Sequence, residues 1–230
     1  MRKIFLLLLF VSSRYLLSQS GDKEHLSGFG VTSITYKHDK KWSAYLELQM
    51  RSIENFSLPD YYEMKGGIGY NVAQGNQVFV GIGKYGTYRN SDFYQREFRL
   101  WLQYTLSHNI HRLKIDHRIR AEKRFYYFPQ TDTKSNTERF RYRLSLTLPI
   151  NKEKVESNTF FVNGYEEIFV GPEDPFFKRN RFFAGGGYQF NDNISGSLGY
   201  MWQRDFSIDS AINLHFLYFG ISFTFNRLTD

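Results

Sequence analysis

Residues 112–124, RLKIDHRIRAEKR, alternate between two chemistries. Leu113, Ile115, Ile119 and Ala121 hold one parity, and Arg112, Lys114, Asp116, Arg118, Arg120, Glu122 and Arg124 hold the other. Side chains of an extended strand point alternately to opposite faces, so a period of two writes one apolar and one charged face onto a single strand. The period recurs along the chain. Trp42, Ala44, Leu46, Leu48 and Met50 oppose Ser43, Glu47, Gln49 and Arg51. Tyr62, Met64, Ile68, Tyr70 and Val72 oppose Glu63, Lys65 and Asn71. Phe98, Leu100, Leu102, Tyr104 and Leu106 oppose Glu97, Arg99, Gln103 and Thr105. Phe140, Tyr142, Leu144, Leu146 and Leu148 oppose Arg139, Arg141, Arg143, Ser145 and Thr147.

Further strands are expected near 29–37, 77–88, 159–170, 181–190, 194–204 and 213–225. Short polar connections (KHDKK, AQGN, SHN, NDN) alternate with longer ones (ENFSLPD, FPQTDTKSNT, GPEDPFFKRN, DFSIDSA); PINKEKVESN is long where a short one is due. The count is eleven strands of roughly ten residues, the length that crosses a bilayer at a tilt. An antiparallel barrel closes with an even number, which points to twelve, with a strand ahead of Phe29, or to ten with that segment outside the wall.

A soluble barrel would turn the apolar face inward and a membrane barrel would turn it outward; periodicity does not separate the two. Three features favour the membrane. Strand length is one. The second is the N-terminus, MRKIFLLLLFVSSRYLLSQS, in which Arg2 and Lys3 precede an apolar run and small residues follow. That is the pattern of a cleaved export signal over 1–19, interrupted by Arg14, leaving a single domain over 20–230. The third is the set of aromatics expected near strand ends: Trp42, Tyr61, Tyr62, Tyr88, Tyr126, Tyr127, Phe128, Phe176, Phe177 and Trp202. After the leader no apolar run is long enough for a membrane helix. There is no cysteine, so disulfides, thiol catalysis and cysteine-based zinc sites are out. The formal charge of +7 is spread along the chain and makes no basic arm, so nucleic acid is not an expected partner.

Near the C-terminus, Tyr218, Gly220, Phe223 and Phe225 resemble the signal by which outer-membrane barrels are recognised for assembly, although NRLTD follows here. From residue 139 onward the chain also resembles a family of small outer-membrane β-barrels of Bacteroidota-type Gram-negatives, catalogued as domain of unknown function 2490. The residues that carry it are Arg141-Tyr142-Arg143-Leu144 with Pro149, Tyr165-Glu166-Glu167-Ile168-Phe169, Asn180-Arg181-Phe182 with AGGGYQFNDN, and Gly199-Tyr200. The resemblance implies an outer-membrane barrel and no reaction.

GIGKYG (Gly81, Gly83, Gly86) matches a dinucleotide fingerprint, but no helical pattern follows, and small residues in a twisted strand explain it better. The GGG at 185–187 reads as a bend or a place where an aromatic ring covers glycine. Adjacent Glu166 and Glu167 point to opposite faces and cannot act as an acid–base pair. His108 and His111 are too few for a metal site, and His117 on an apolar face suits a lipid interface or a tyrosine neighbour.

The most informative set is the charged face: Glu97, Arg99, Arg118, Arg120, Glu122, Arg139, Arg141, Arg143, Glu167 and Arg181. In a barrel these enter one lumen, where the guanidinium fork can bind several carboxylates. The expectation is a transmembrane antiparallel up-and-down barrel of about ten to twelve strands in the outer membrane. Its lumen is arginine-rich and largely filled, it has no cofactor and no catalytic site, and its partners are membrane lipid and the barrel-assembly machinery. The alternatives are a narrow anion pore or a barrel binding small anions or lipid headgroups, an outer-membrane lipid-modifying enzyme, and a soluble lipid-binding barrel.

Overall fold

In a computed structural model, residues 26–52, 56, 59–89 and 92–227 are described; the export-signal segment 1–19 lies outside them. Eleven strands follow in order: β1 (Leu26–Lys37), β2 (Trp42–Ser52), β3 (Pro59–Ala73), β4 (Asn76–Arg89), β5 (Asp92–Ile110), β6 (Leu113–Phe128), β7 (Thr133–Pro149), β8 (Thr159–Val170), β9 (Phe177–Gln189), β10 (Ile194–Phe206) and β11 (Ala211–Asn226). Each pairs with its sequence neighbours, and the sheet closes on itself.

Among the described residues the barrel closes with eleven strands, the number read from the periodicity, so the parity argument for twelve or ten does not hold. Consecutive pairs are antiparallel, whereas the closing pair β1·β11 is parallel, in register from Leu26↔His215 to Lys37↔Asn226. A parallel seam removes the parity constraint that antiparallel closure imposes. It also puts the start of β1 and the finish of β11 at opposite mouths. The C-terminal mouth carries connections 38–41, 74–75, 111–112, 150–158 and 190–193. The N-terminal mouth carries those between β2 and β3, β4 and β5, β6 and β7 (129–132), β8 and β9 (171–176), and β10 and β11 (207–210). The native chain has no cysteine, so single-cysteine variants test this topology cleanly. An impermeant maleimide should modify Leu26→Cys from the same side as Asp209→Cys, and Arg227→Cys from the opposite side, together with Asp192→Cys. Leu26→Cys and Arg227→Cys reacting from one side would overturn the odd count.

Several segments read as connections, two long and one short, continue as strand. β7 begins inside FPQTDTKSNT, β9 inside GPEDPFFKRN, and SHN lies within β5, whose turn to β6 is at His111 and Arg112. Polar residues there satisfy their backbone in the ladder, so the polarity that suggested loops belongs to strands projecting past the apolar band. The long connection 150–158 is held to the C-terminal mouth by Arg112, whose Nη2 donates to the carbonyls of Pro149 (2.7 Å), Ile150 (2.9 Å) and Lys152 (2.6 Å). In the turn 38–41, the backbone N–H groups of Trp42 and Lys41 donate to Asp39 and hold its carboxyl below the usual carboxylate range.

The distribution of chemistry is that of a membrane barrel. Leu48, Met64, Ile68, Val80, Ile82, Leu102, Ile119, Phe140, Leu198 and Ile221 are exposed on the outer face, while Glu63, Glu97, Arg99, Arg120, Glu122, Arg139, Arg141, Glu167 and Arg181 are buried inside. Outward aromatics flank the band at each mouth. Tyr62, Tyr88 and Phe93 pack together at the N-terminal mouth; Trp42 on Tyr70 and Phe160 on Tyr188 do so at the other. Tyr61 and Tyr126 do not join this girdle: both sit on the lumen parity, Tyr61 donating to Glu63 (2.9 Å) and Tyr126 beneath the Arg124 guanidinium.

Candidate functional site

The lumen is organised by register. One row of inward residues runs laterally as Thr105, Arg118, Arg143, Glu167, Arg181 and Gln203, from β5 to β10. The next row is Gln103, Arg120, Arg141, Phe169, Arg179 and Asp205, and a third begins Trp101, Glu122, Arg139. Like charges directly opposite each other destabilise a sheet, yet Arg118 faces Arg143 and Arg120 faces Arg141. The carboxylates between them resolve the conflict.

Glu167 is fully buried and binds three arginines: Arg118 at 2.6 Å, Arg141 at 2.7 Å and Arg143 at 2.6 Å. Glu122 binds Arg139 at 2.6 Å and Arg141 at 2.7 Å, with Arg120 at 3.6 Å and Arg99 at 3.9 Å. Glu97 binds Arg99 and Arg124, both at 2.7 Å. Arg141 reaches both Glu122 and Glu167, and Arg99 reaches both Glu97 and Glu122, so the three carboxylates form one connected lattice. Removing buried charges from water costs several kcal/mol per ion; charge-assisted hydrogen bonds on both carboxylate oxygens are what offsets it.

A second layer of contacts was not legible from charge patterning. The lumen face is studded with aromatic rings on which the guanidinium planes rest. Phe169 is buried beneath Arg141 (4.4 Å), Arg139 (5.1 Å), Arg181 (5.4 Å) and Arg179 (5.5 Å). Arg99 lies over Tyr85 (3.7 Å), Arg143 over Tyr165 (3.9 Å) and Arg120 over Trp101 (4.9 Å). Such stacking leaves the edge N–H groups free to bind carboxylates while the face is covered. The available signal was parity: Trp101 sits between Arg99 and Gln103, and Tyr165 and Phe169 flank Glu167, on the polar register of their strands.

Two glycine sites make room for inward rings. A Cβ at Gly81 would lie 2.2 Å from the Trp101 ring, and Cβ atoms at Gly185 and Gly199 would lie 2.7 and 2.5 Å from that of Phe183. The GIGKYG segment is therefore a barrel strand shaped around a tryptophan, and GGG a strand covered by an aromatic ring. Phe29, Phe183, Met201 and Phe216 form an apolar cluster inside the barrel, with Tyr165 and Tyr218 packed on it.

All ten residues of the expected charged set face the lumen. Arg124, on the same charged parity of 112–124, faces the lumen as expected, and Arg51, Lys65 and Arg179 join the set, with Glu47, Glu63 and Asp205 as partners. Lys65 binds Glu47 at 2.5 Å and also Glu63, while Arg179 binds Asp205 through both carboxylate oxygens at 2.5 and 2.7 Å. Arg181 is the exception. Its Nε and Nη2 donate to Gln203 Oε1 at 3.1 and 2.6 Å, and among the described residues it has no carboxylate within 4.0 Å.

Glu166 stands on the outer face in regular pairing with Phe182, accepting from Asn180 Nδ2 at 3.2 Å; the irregularity of this strand pair lies further along, between Phe169 and Val170. His117 is outward too, with Nδ1 2.8 Å from the Tyr142 hydroxyl and its ring stacked on His108. Of the C-terminal set, Tyr218 and Gly220 share the lumen parity, and Phe223 and Phe225 share the outer parity with Phe219 and Ile221.

The charged layer divides the lumen. A cavity of about 670 Å³ opens at the C-terminal mouth and one of about 270 Å³ at the N-terminal mouth. Lys65, Arg141 and Arg181 line both and so stand in the partition. Among the described residues no group of three or more histidine, aspartate or glutamate side chains is placed to hold a metal ion.

Searches of curated proteins and of solved structures return no match. Residues 28–213, most of the chain and nearly all of the barrel, match the family described as protein of unknown function DUF2490, and the chain belongs to that family.

Proposed function

We propose that this chain is a non-catalytic barrel of the bacterial outer membrane, inserted with the help of barrel-assembly machinery and closed to free passage at its waist. The observation that carries the reading is the partition: Lys65, Arg141 and Arg181 stand between the two cavities, and Glu122 and Glu167, fully withdrawn from solvent, each clasp several arginines of the adjoining strands. The outward apolar band, the aromatic girdles and the leader-like N-terminus support the membrane. Tyr218, Gly220, Phe223 and Phe225 serve as the assembly signal. Support for a non-catalytic role comes from His108 and His117, which stand on the outer face away from the inward serines. Purified protein should accordingly release no fatty acid from phospholipid.

The test is conductance of refolded protein in a planar bilayer. The native barrel should be silent, and Arg141→Ala with Arg181→Ala, which removes two side chains bordering both cavities, should produce discrete steps. A second reading, a narrow anion-selective pore, is favoured by the excess of arginine over carboxylate in the lumen. Anion-selective steps from the native protein would replace the closed reading with this one.

A further inference from the structure

The larger cavity has two chemically different walls, and the cationic one is not fully satisfied. Arg118 and Arg143 are register partners that share Glu167, each through Nη2 alone. Among the described residues their Nε–H groups have no hydrogen-bond partner, while the two side chains keep 18% and 20% of their surface open. Arg181, 6% exposed, borders the same cavity and is partnered by one amide oxygen. Arg118 and Arg143 thus meet at the floor of the cavity on one carboxylate that Arg141 already shares, and Arg181, the register partner of Glu167 on β9, adds a third guanidinium without a carboxylate of its own among the described residues. Asn163, whose buried Oδ1 has no partner among the described residues, lines the same cavity. An anion entering from solution would supply the missing negative charge at a place where the lattice holds too little.

The other wall is apolar. Val31, Tyr165 and Tyr218 are partly exposed there, packed on the buried Phe29 and Phe183, with ring centroids of Phe29–Tyr218 5.6 Å and Phe183–Tyr218 4.9 Å apart. A bare phosphate or sulfate would leave that surface wet. A ligand with an apolar body covers it while its charged end reaches the arginines, and about 670 Å³ is the size range of small-molecule pockets. The approach from the mouth passes Lys37, Lys40 and Asp39, a rim of net positive charge. We infer that this cavity is a binding site for an organic carboxylate with an aromatic or aliphatic body, its carboxylate on Arg118, Arg143 and Arg181 and its body against Val31, Tyr165 and Tyr218. The inference rests on the closed-waist reading, which makes the cavity a dead end in which a ligand can dwell.

The experiment is titration calorimetry of the full barrel in lipid nanodiscs with three probes: 2-naphthoate, the neutral 2-naphthalenemethanol, and inorganic phosphate. Naphthoate should bind at least about tenfold more tightly than either of the others, the factor expected for a charge-assisted contact. Arg143→Gln should weaken naphthoate by about tenfold or more. That variant should fold, because Glu167 keeps Arg118 and Arg141, and heat-modifiable gel migration checks it. Arg118→Gln is the second variant should the first fail to insert. Equal binding of naphthoate and the alcohol would reduce the site to apolar partition, equal binding of phosphate would make it an inorganic-anion site, and no binding at all would remove it; each overturns the inference. Naphthoate binding to a barrel that also conducts would overturn the closed waist and leave the site standing.

Discussion

Glu167→Gln is expected to lower the unfolding free energy of the barrel by about 3–5 kcal/mol, the cost of removing one partner from a buried charge cluster. The substitution conserves volume and keeps one acceptor oxygen, so packing is nearly unchanged; what disappears is the charge. Arg118 and Arg143 then have no carboxylate within 4.0 Å among the described residues, and Arg141 retains Glu122 only. Arg181, one register position away on β9, already has none. Four guanidinium groups would face each other across a few ångströms of low-dielectric lumen. Urea unfolding in lipid vesicles, read by heat-modifiable migration, gives the number. Arg143→Gln in the same assay should cost much less, since it reduces the local excess of positive charge. A loss below about 1 kcal/mol for Glu167→Gln, the ordinary effect of a surface change, would mean that the lattice is hydrated and contributes little to the fold.

The second large effect separates the two faces of one strand. Ile119→Arg should destabilise the barrel in a bilayer by about 2–4 kcal/mol, the depth-dependent cost of a lipid-facing arginine near the midplane. Ile119 is 57% exposed on the outer face, between Tyr104 and Tyr142 in the ladder, while its chain neighbours Arg118 and Arg120 turn into the lumen. Arginine is therefore accommodated at 118 and 120 and rejected at 119, a contrast that sequence neighbourhood cannot produce and a lipid-facing wall must. If the barrel were water-soluble, an arginine at this exposed position would change stability by no more than about 0.5 kcal/mol. An effect that small, in lipid vesicles, would remove the membrane assignment.

Parity was the legible part of this chain. Alternation over 112–124 and 138–148 states which residues share a face, because the strand period of two is fixed by backbone geometry and independent of everything distant. It assigned Glu97, Arg99 and Glu167 to one lumen without any knowledge of the ladder. Who pairs with whom was not legible. Arg118 meets Glu167 across 49 residues and Arg124 meets Glu97 across 27; such pairings depend on turn lengths summed over several hairpins, and a slip of one residue reverses a strand. Strand ends were misjudged where polar residues such as Thr133–Thr137 continue the ladder past the apolar band, because polarity there reports height in the membrane and not the absence of pairing. The inward rings of Trp101 and Phe169 were overlooked because an aromatic on a charged register looks like an interruption. Stacked under guanidinium groups, it is part of the charged face.

The seam between β1 and β11 divides the interior by connectivity. The lattice around Glu97, Glu122 and Glu167 draws on β5 to β8, four strands consecutive in the chain, so its ion pairs are contacts between neighbouring or next-neighbouring hairpin arms. The apolar cluster of Phe29, Phe183, Met201 and Phe216 joins the first strand to the last three, and the bond from Ser33 Oγ to Ser222 Oγ (2.8 Å), 189 residues apart, joins the first to the last. The first set can assemble as soon as those hairpins exist. The second can exist only once the ends have met. Charge is thus matched inside a local unit of low loop-closure cost, and the undirected, forgiving attraction of greasy side chains is reserved for fastening the ring.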